Sequence, residues 1–444
     1  MRKSGLLAIV VVSAVLLAGT AQARPPWKRR IDRLAAGHSI GISVAEDGKV
    51  LYRHTDKSRR VPASNQKLLL SMTAFDLIGP NERIVTRVRA DRLDGGTVRG
   101  DLWLLGRGDP TITGGGAFGK SLPFGPSRLS TLVRRIKAAG IHRVTGSVMG
   151  STGYFTRDWY APGWKSFFPA YYVALPTALA FEGNTYNGRH ISNPEWRAAR
   201  SLTRRLRAKG VRVGGNPGAG VPPQGGTVVA EVKSQPLAKL LGYTNKQSSN
   251  FFAEMIGKRL GAVAGKPPGS IAKGAAAIAR WTARHGVEAI ARDSSGLSYE
   301  NRVSPRGLVH LLDVAESTTW GKTFRESLPV PGQGTLEDRL AGVKVRAKTG
   351  TLDGVSALSG WVRLDDTGTW AEFSILSSGM PKSQAVDIED RVVRILEAAA
   401  GKRQGDRTTG TLTTWSGEPS WADDSYTSTN PSVSAATWNG TFLL

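Results

Sequence analysis

The sequence predicts a mixed α/β (α+β) protein in which an antiparallel sheet flanked by helices is assembled from both ends of the chain and interrupted by an inserted β-rich region. Three observations carry that prediction. Alternating residues at Ile40–Val44 and Val50–Tyr52 bracket Glu46-Asp47-Gly48, as in a hairpin. Strand-like runs at 343–347, 356–364 and 370–377 lie at the other end of the chain, among segments of helical period. From Ile84 onward the period changes to two, punctuated by glycine-rich turns such as Asp94-Gly95-Gly96.

Residues 1–23 combine Arg2 and Lys3, an apolar run from Leu6 to Ala18, and Ala21-Gln22-Ala23. That is the pattern of a secretory signal peptide cleaved after Ala23, so the mature chain is expected in the periplasm or extracellular cell envelope. Residues 24–80 form the first part of the sheet-and-helix domain. A helix ends at 31–36 before Gly37, the hairpin follows, and Pro62-Ala63-Ser64 opens an apolar helix through Leu68, Leu69, Leu70, Met72, Phe75 and Leu77. Residues 81–235 form the insertion, one or two small domains with one helix at 129–139 and a Gly- and Pro-rich loop at 213–226. Residues 236–400 return to helices at 236–241, 248–260, 270–285 and 305–314, then the three strands and a last helix at 386–399. Residues 401–444, rich in Thr, Ser, Trp and Gly without period, are expected to be a disordered or surface-associating tail.

With 444 residues, 40% of them hydrophobic, the chain can bury more than one core. The absence of cysteine excludes disulfides, thiol catalysis and cysteine metal sites. The six histidines show no H-E-x-x-H or other close metal spacing, and no metal or organic cofactor is expected. A formal net charge of +25 attracts polyanions. In an exported chain these are anionic wall polymers or a membrane surface instead of nucleic acid, although a solvated basic surface accounts for the same charge.

Three short motifs carry chemistry: Ser64-Asn65-Gln66-Lys67, Ser248-Ser249-Asn250 and Lys348-Thr349-Gly350. Each alone is weak, since Ser and Asn are ordinary helix caps and Ser270-Ile271-Ala272-Lys273 also fits S-x-x-K. Their order is what active-site serine peptidases of the S-x-x-K type use. A serine at a helix start sits where backbone N–H groups favour a developing oxyanion, and a lysine three residues on shares its face. Ser64 is the candidate nucleophile and Lys67 its base, which requires a neutral amine, with burial and the positive charge of Lys348 expected to lower its pKa. Ser248 is expected to relay the proton, and Asn250 to hold Lys67 and the substrate amide. Lys348 with the Thr349 and Thr351 hydroxyls suits a substrate carboxylate, Gly350 keeps the strand face open, and the Thr351 N–H completes an oxyanion hole. Gly37-His38-Ser39-Ile40-Gly41 imitates a lipase elbow, but its helix precedes its strand, the wrong order.

With these motifs, the chain resembles the D-alanyl-D-alanine carboxypeptidase/endopeptidase family, the class C low-molecular-mass penicillin-binding proteins. Gly108-Asp109-Pro110-Thr111, Pro236-Leu237, Phe251-Phe252-Ala253-Glu254, Ser295-Gly296-Leu297-Ser298, Asn301-Arg302-Val303-Ser304-Pro305 and Gly334-Thr335-Leu336 extend the resemblance across 31–399. It implies a β-lactamase-like transpeptidase domain split by the long interval between Ser64 and Ser248. It also implies hydrolysis of peptidoglycan stem peptides and cross-links through an acyl-enzyme, and inhibition by β-lactam antibiotics. Ser249 stands where the family commonly has Asp, with a side chain expected to point away from the nucleophile. A β-lactamase and a non-catalytic wall-binding protein are the competing readings.

Overall fold

The computed structural model describes residues 25–365 and 367–399. The expected signal peptide and tail lie outside the described residues. The chain begins α1 (Pro26–Ala35), β1 (Ser39–Glu46), β2 (Lys49–His54), a 3-10 turn (Ala63–Asn65) and α2 (Gln66–Leu77). It continues β3 (Arg83–Asp94), β4 (Thr97–Leu105), α3 (Ala117–Ser121), α4 (Leu129–Ala138), β5 (Arg143–Val144), β6 (Val148–Ser151), α5 (Phe168–Tyr171), β7 (Thr185–Tyr186) and β8 (Arg189–His190). Then follow α6 (Pro194–Ala208), β9 (Arg212–Val213), β10 (Gly218–Gly220), β11 (Thr227–Pro236), α7 (Leu237–Lys246), α8 (Asn250–Gly265) and α9 (Ile271–Arg284). The last elements are α10 (Pro305–Glu316), α11 (Gly321–Glu326), β12 (Val345–Leu352), β13 (Val355–Arg363), β14 (Trp370–Ser378) and α12 (Lys382–Ala399).

The two ends of the chain meet in one antiparallel five-stranded sheet, ordered β12-β13-β14-β1-β2. Ala357, Trp361 and Leu376 on one face pack into the core around α2, α7, α8 and α10. Leu358, Val362, Phe373 and Ile375 on the other pack against Ile31 of α1 and Ile388, Val392 and Val393 of α12. Burial on both faces is why β13 and β14 are apolar almost throughout and show little alternation in sequence. α2 is buried on every side from Gln66 to Phe75, so it sits at the centre of the helical layer and brings its N-terminal turn up to the sheet.

The intervening chain builds a second sheet in which β3 pairs antiparallel with β4 and β11, and β4 pairs parallel with β5 and β6. Its core, including Val88, Leu102, Leu104, Leu132, Ile136, Leu202 and Leu206, shares no residue with the other two. One expectation is corrected here. Besides α4, the insertion contains the 15-residue helix α6. Its apolar stripe is narrow, Ala198, Leu202 and Leu206 at intervals of four, and arginines cover the rest, so helical period was hidden under low overall hydropathy.

One buried acid makes this fold sensitive to pH. Glu372 of β14 lies opposite Ala45, 3% exposed, and burial, reinforced by Asp313 and Glu316, pushes its pKa up to about 8 from 4.5. A carboxyl raised in the folded state binds more protons folded than unfolded, so its contribution is intact below about pH 4.5 and stability falls as pH rises toward 8. Glu372→Gln is expected to remove on the order of 3 kcal/mol of that loss, read as a smaller drop in Tm between pH 5 and 8 than in the parent.

Candidate active site

The turn that carries Ser64 is shaped by residues far away in sequence. Asn65 donates to the Ser359 hydroxyl of β13 at 2.7 Å and Gln66 to the Asp293 carbonyl at 3.2 Å. Two glycine backbones close on the same turn. Gly296 has φ +84°, and a Cβ there would stand 1.9 Å from the Ala63 carbonyl oxygen. A Cβ on Gly350 would stand 2.9 Å from the Pro62 carbonyl oxygen. Gly350 is therefore needed for close approach of β12 to the Ser64 turn, a tighter requirement than keeping a strand face open.

Lys67 is fully buried. Its Nζ lies 2.9 Å from Ser64 Oγ, 2.9 Å from Asn250 Oδ1 and 2.5 Å from the Ser295 carbonyl oxygen. The last two can only accept, whereas a hydroxyl can also donate. A neutral amine has two hydrogens and one lone pair, so with both hydrogens committed to Asn250 and Ser295 the lone pair faces Ser64. Burial brings the Lys67 pKa down to about 7, with Asp293 and Glu254 opposing the fall. Burial is the main cause of the fall, and the repulsion between the two buried lysines acts on both ends of the pair. Lys348, also fully buried, is lowered well below the lysine range by burial first, then by Lys67 and Lys382.

The predicted residues form two linked sets. Ser64, Lys67 and Asn250 meet at the Lys67 amine, and Lys348 donates to Ser248 Oγ at 2.9 Å and to the Thr349 carbonyl at 2.8 Å. Ser248 adopts φ +52° just before α8. Ser249 is the cap of α8, accepting from the Phe252 N–H at 3.3 Å, so its side chain is occupied away from Lys67 and a hydroxyl suffices there. Asn250 also donates to the Tyr172 carbonyl at 3.1 Å. Lys348, Thr349, Gly350 and Thr351 all lie within β12, longer than expected, at the edge of the five-stranded sheet. Among the described residues, the Thr349 and Thr351 hydroxyls make no internal hydrogen bond.

Sequence reasoning missed the residues that hold these groups in place. Asp293 accepts from the Gly296 and Ser298 N–H groups, from Asn301 Nδ2 and from Trp164 Nε1, winding the loop that presents the Ser295 carbonyl and Gly296. Glu254, one turn along α8 from Asn250, accepts from the Ser294 and Ser295 N–H groups at 3.0 and 2.7 Å. Burial, with Asp293 adding, pushes its pKa up to about 7. A turn further on, buried Lys258 lies 2.6 Å from Asp158 and donates to the carbonyls of Thr156, Asp158 and Pro176. Glu254 and Ser295 lay inside stretches singled out in the sequence, but nothing there distinguished them from packing residues. Gly108-Asp109-Pro110-Thr111 is a buried turn in which Asp109 accepts from Thr111 and Ser127.

A profile of the D-Ala-D-Ala carboxypeptidase 3 (S13) family matches residues 30–191 and 183–399. The chain belongs to this family. It is thus a D-Ala-D-Ala carboxypeptidase, a serine-type hydrolase of peptidoglycan stem peptides. It is 27% identical to a D-alanyl-D-alanine carboxypeptidase of Actinomadura sp. (strain R39), over 83% of each chain. It is 29% identical to a carboxypeptidase of Mycobacterium tuberculosis over 76% of this chain and 75% of that one. The crystal structure of penicillin binding protein 4 (dacB) from Haemophilus influenzae shares the fold, with a TM-score of 0.70 at 20% identity, covering 83% of this chain and 99% of that one.

The clasp on the Ser64 turn is directly testable. Gly296→Ala combines positive φ with a backbone clash, so a loss of about 3 kcal/mol or more is expected, read in a denaturant melt. The surviving folded protein should acylate more slowly, because the Ala63 carbonyl and Ser295 move together.

Proposed function

We propose that Ser64 is the nucleophile, Lys67 its general base, Ser248 a proton relay, Asn250 a clamp on Lys67 and the substrate amide, and Lys348, Thr349, Gly350 and Thr351 the substrate-binding strand. The observation that supports this reading best is the Lys67 amine, with two carbonyl-type acceptors fixing its hydrogens and Ser64 Oγ 2.9 Å from its remaining position. The substrate is a stem peptide ending in D-Ala-D-Ala, laid as an added strand along the free edge of β12. Its carboxylate meets Lys348 and the Thr349 and Thr351 hydroxyls. Ser64 Oγ attacks the penultimate D-Ala carbonyl as its proton passes to Lys67, and the oxyanion is held by the Ser64 and Thr351 N–H groups. Ser248, bonded to Lys348, relays the proton taken up by Lys67 to the leaving D-Ala nitrogen, receiving one as it gives one; water then cleaves the ester, its proton returning to Ser64 Oγ as the free acid is released. A cross-linked neighbour in place of the leaving D-Ala gives D,D-endopeptidase activity by the same steps. No metal or cofactor enters the scheme.

The same reading takes 1–23 as a signal peptide directing the chain to the envelope, 24–80 and 236–400 as the two parts of one transpeptidase-like domain, and 81–235 as its insertion. The positive surface then faces anionic wall polymers or membrane, with 401–444 as a surface-associating tail. β-Lactams are proposed to acylate Ser64; the Haemophilus influenzae protein has been crystallised in complex with a β-lactam.

Intact-mass measurement with a fluorescent penicillin tests the nucleophile. One stable adduct on the parent and none on Ser64→Ala is expected, whereas rapid penicillin turnover instead of a stable adduct would point to a β-lactamase. Lys67→Ala is expected to slow acylation by about 10²–10⁴-fold. Because Lys67 must be neutral, acylation should rise with pH through a midpoint near about 7, and a profile flat from pH 5 to 9 would remove it as the base.

A further inference from the structure

Away from the Ser64 site, a cavity of about 920 Å³ opens in the insertion beside α6. Four guanidinium groups line it, those of Arg197, Arg200, Arg204 and Arg205, together with the rings of Trp196 and Tyr186. Arg197, Arg200 and Arg204 recur at intervals of three and four, which puts them on one face of the helix, about 4.5 and about 6 Å apart along its axis. Their planes are held. Arg197 lies 4.4 Å from the Tyr186 ring centroid and donates to the Thr185 carbonyl at 2.8 Å, and Arg200 lies 5.2 Å from the Trp196 centroid. Arg205 donates to the Gly114 carbonyl, while its buried Nε has no partner.

The cluster is short of counter-charge, since four guanidiniums share the cavity with one carboxylate, Glu182, whose field reaches Arg197. Several arginines elsewhere are paired, Arg157 with Glu195, Arg306 with Asp56, and Arg339 with Glu389 and Asp390. Among the described residues none of the four cavity arginines lies within ion-pair distance of a carboxylate. Glu182, the one acid on the cavity wall, turns Oε1 to the Thr113 hydroxyl and the Gly114 and Gly116 N–H groups. Like charges one helical turn apart repel, so the arrangement costs stability until an anion enters.

We propose that this cavity is a second binding site, for a phosphodiester-linked polyanion running along α6. Stacked guanidiniums keep their N–H edges free and pre-oriented for oxyanions. A planar carboxylate is satisfied by a single guanidinium fork, whereas the oxygens of a tetrahedral phosphate diverge and bridge arginines from successive turns. A chain with one phosphate every few atoms matches a row of arginines one turn apart. The site would hold the enzyme against an anionic polymer of the envelope while the Ser64 centre works on the stem peptides. The inference sharpens the reading of the basic surface given above and depends on export only for the source of the polymer; it does not depend on the Ser64 assignment.

The test uses the mature chain and fluorescein-labelled poly(glycerol phosphate), followed by fluorescence anisotropy at physiological salt. Arg200→Glu/Arg204→Glu is compared with a charge-matched pair on exposed positions of α9, Arg280→Glu/Arg284→Glu. The first pair should weaken binding by about tenfold or more and flatten the salt dependence, the second by less than about twofold. Polygalacturonate of matched length should bind about tenfold more weakly than the phosphate polymer. An unchanged thermal melt certifies folding, and should the double variant fail that check, Arg204→Gln alone at an exposed position should weaken binding about threefold. Equal losses in both reversal pairs, no loss on α6, or equal affinity for polygalacturonate would overturn the proposal, whatever the outcome at Ser64.

Discussion

An ammonium group taken wholly out of water loses solvation worth several kcal/mol even after the protein relaxes, and Lys67 is taken out wholly. Much of the surrounding structure exists to keep that amine buried next to a hydroxyl. α2 has to be enclosed on every side, which requires the helices α7, α8 and α9 around it and the sheet beyond its first turn. The Ser295 carbonyl must be brought to Nζ, which requires the loop wound around Asp293. Asn250 must present its oxygen, which requires α8 to start where the Ser249 hydroxyl caps it. Two glycines must let other backbones reach the Ser64 turn. Each is a local feature with a local cause, and each meets at one nitrogen.

The two buried lysines differ in their surroundings. Lys67 has the carboxyls of Asp293 and Glu254 in its field, whereas the charges acting on Lys348 are those of Lys67 and Lys382, both positive. Positive charge is therefore better supported at Lys67 than at Lys348. In the proposed reaction the substrate supplies the anion that Lys348 lacks. Its carboxylate favours a charged Lys348, and a charged Lys348 disfavours a charged Lys67. Substrate binding and activation of the base are then one electrostatic event, so a ligand without that carboxylate forgoes the activation as well as the contact.

The parts of this protein that were legible in sequence are those in which neighbours in sequence act together. The β1–β2 hairpin shows because its turn residues are adjacent, α2 because its apolar residues run together, and Ser64 with Lys67 because three positions make one helical turn. Ser248-Ser249-Asn250 and Lys348-Thr349-Gly350 show by their chemistry and order. Asp293 does not show, since its partners Trp164, Gly296, Ser298 and Asn301 span a long stretch of chain and an isolated Asp has no pattern. Lys258 is hidden for the same reason, a charged residue within an otherwise buried helix whose acceptors all come from the insertion. α6 was missed because an arginine-rich helix with a narrow apolar stripe resembles a polar loop in composition. Burial as a cause of the Lys67 shift could be expected from its apolar helix, but Asp293 and Glu254, which oppose that shift, could not, because a sequence shows which charges are present and not which of them share a site.

The insertion is not an independent appendage to the site. Its segment from Thr156 to Pro176 is fastened to α8 by the Lys258 ammonium, and Asp158 in that segment also accepts from the Ile271 N–H at the start of α9. Farther along, Trp164 bonds Asp293 and the Tyr172 carbonyl accepts from Asn250. Asn250 and the Asp293 loop supply two of the three groups around the Lys67 amine, so the insertion braces both. Removing Lys258 leaves the part-buried Asp158 and three carbonyls without their cation, a loss below the about 3–5 kcal/mol of a fully buried pair because Asp158 stays in reach of water. The same change loosens the segment that positions Asn250 and Asp293. Fold stability and the placement of the groups around the Lys67 amine thus both draw on the same buried lysine on α8, two turns from Asn250. That linkage gives a physical reason for a chain of this kind to keep its insertion between Lys67 and Ser248 instead of attaching it at an end.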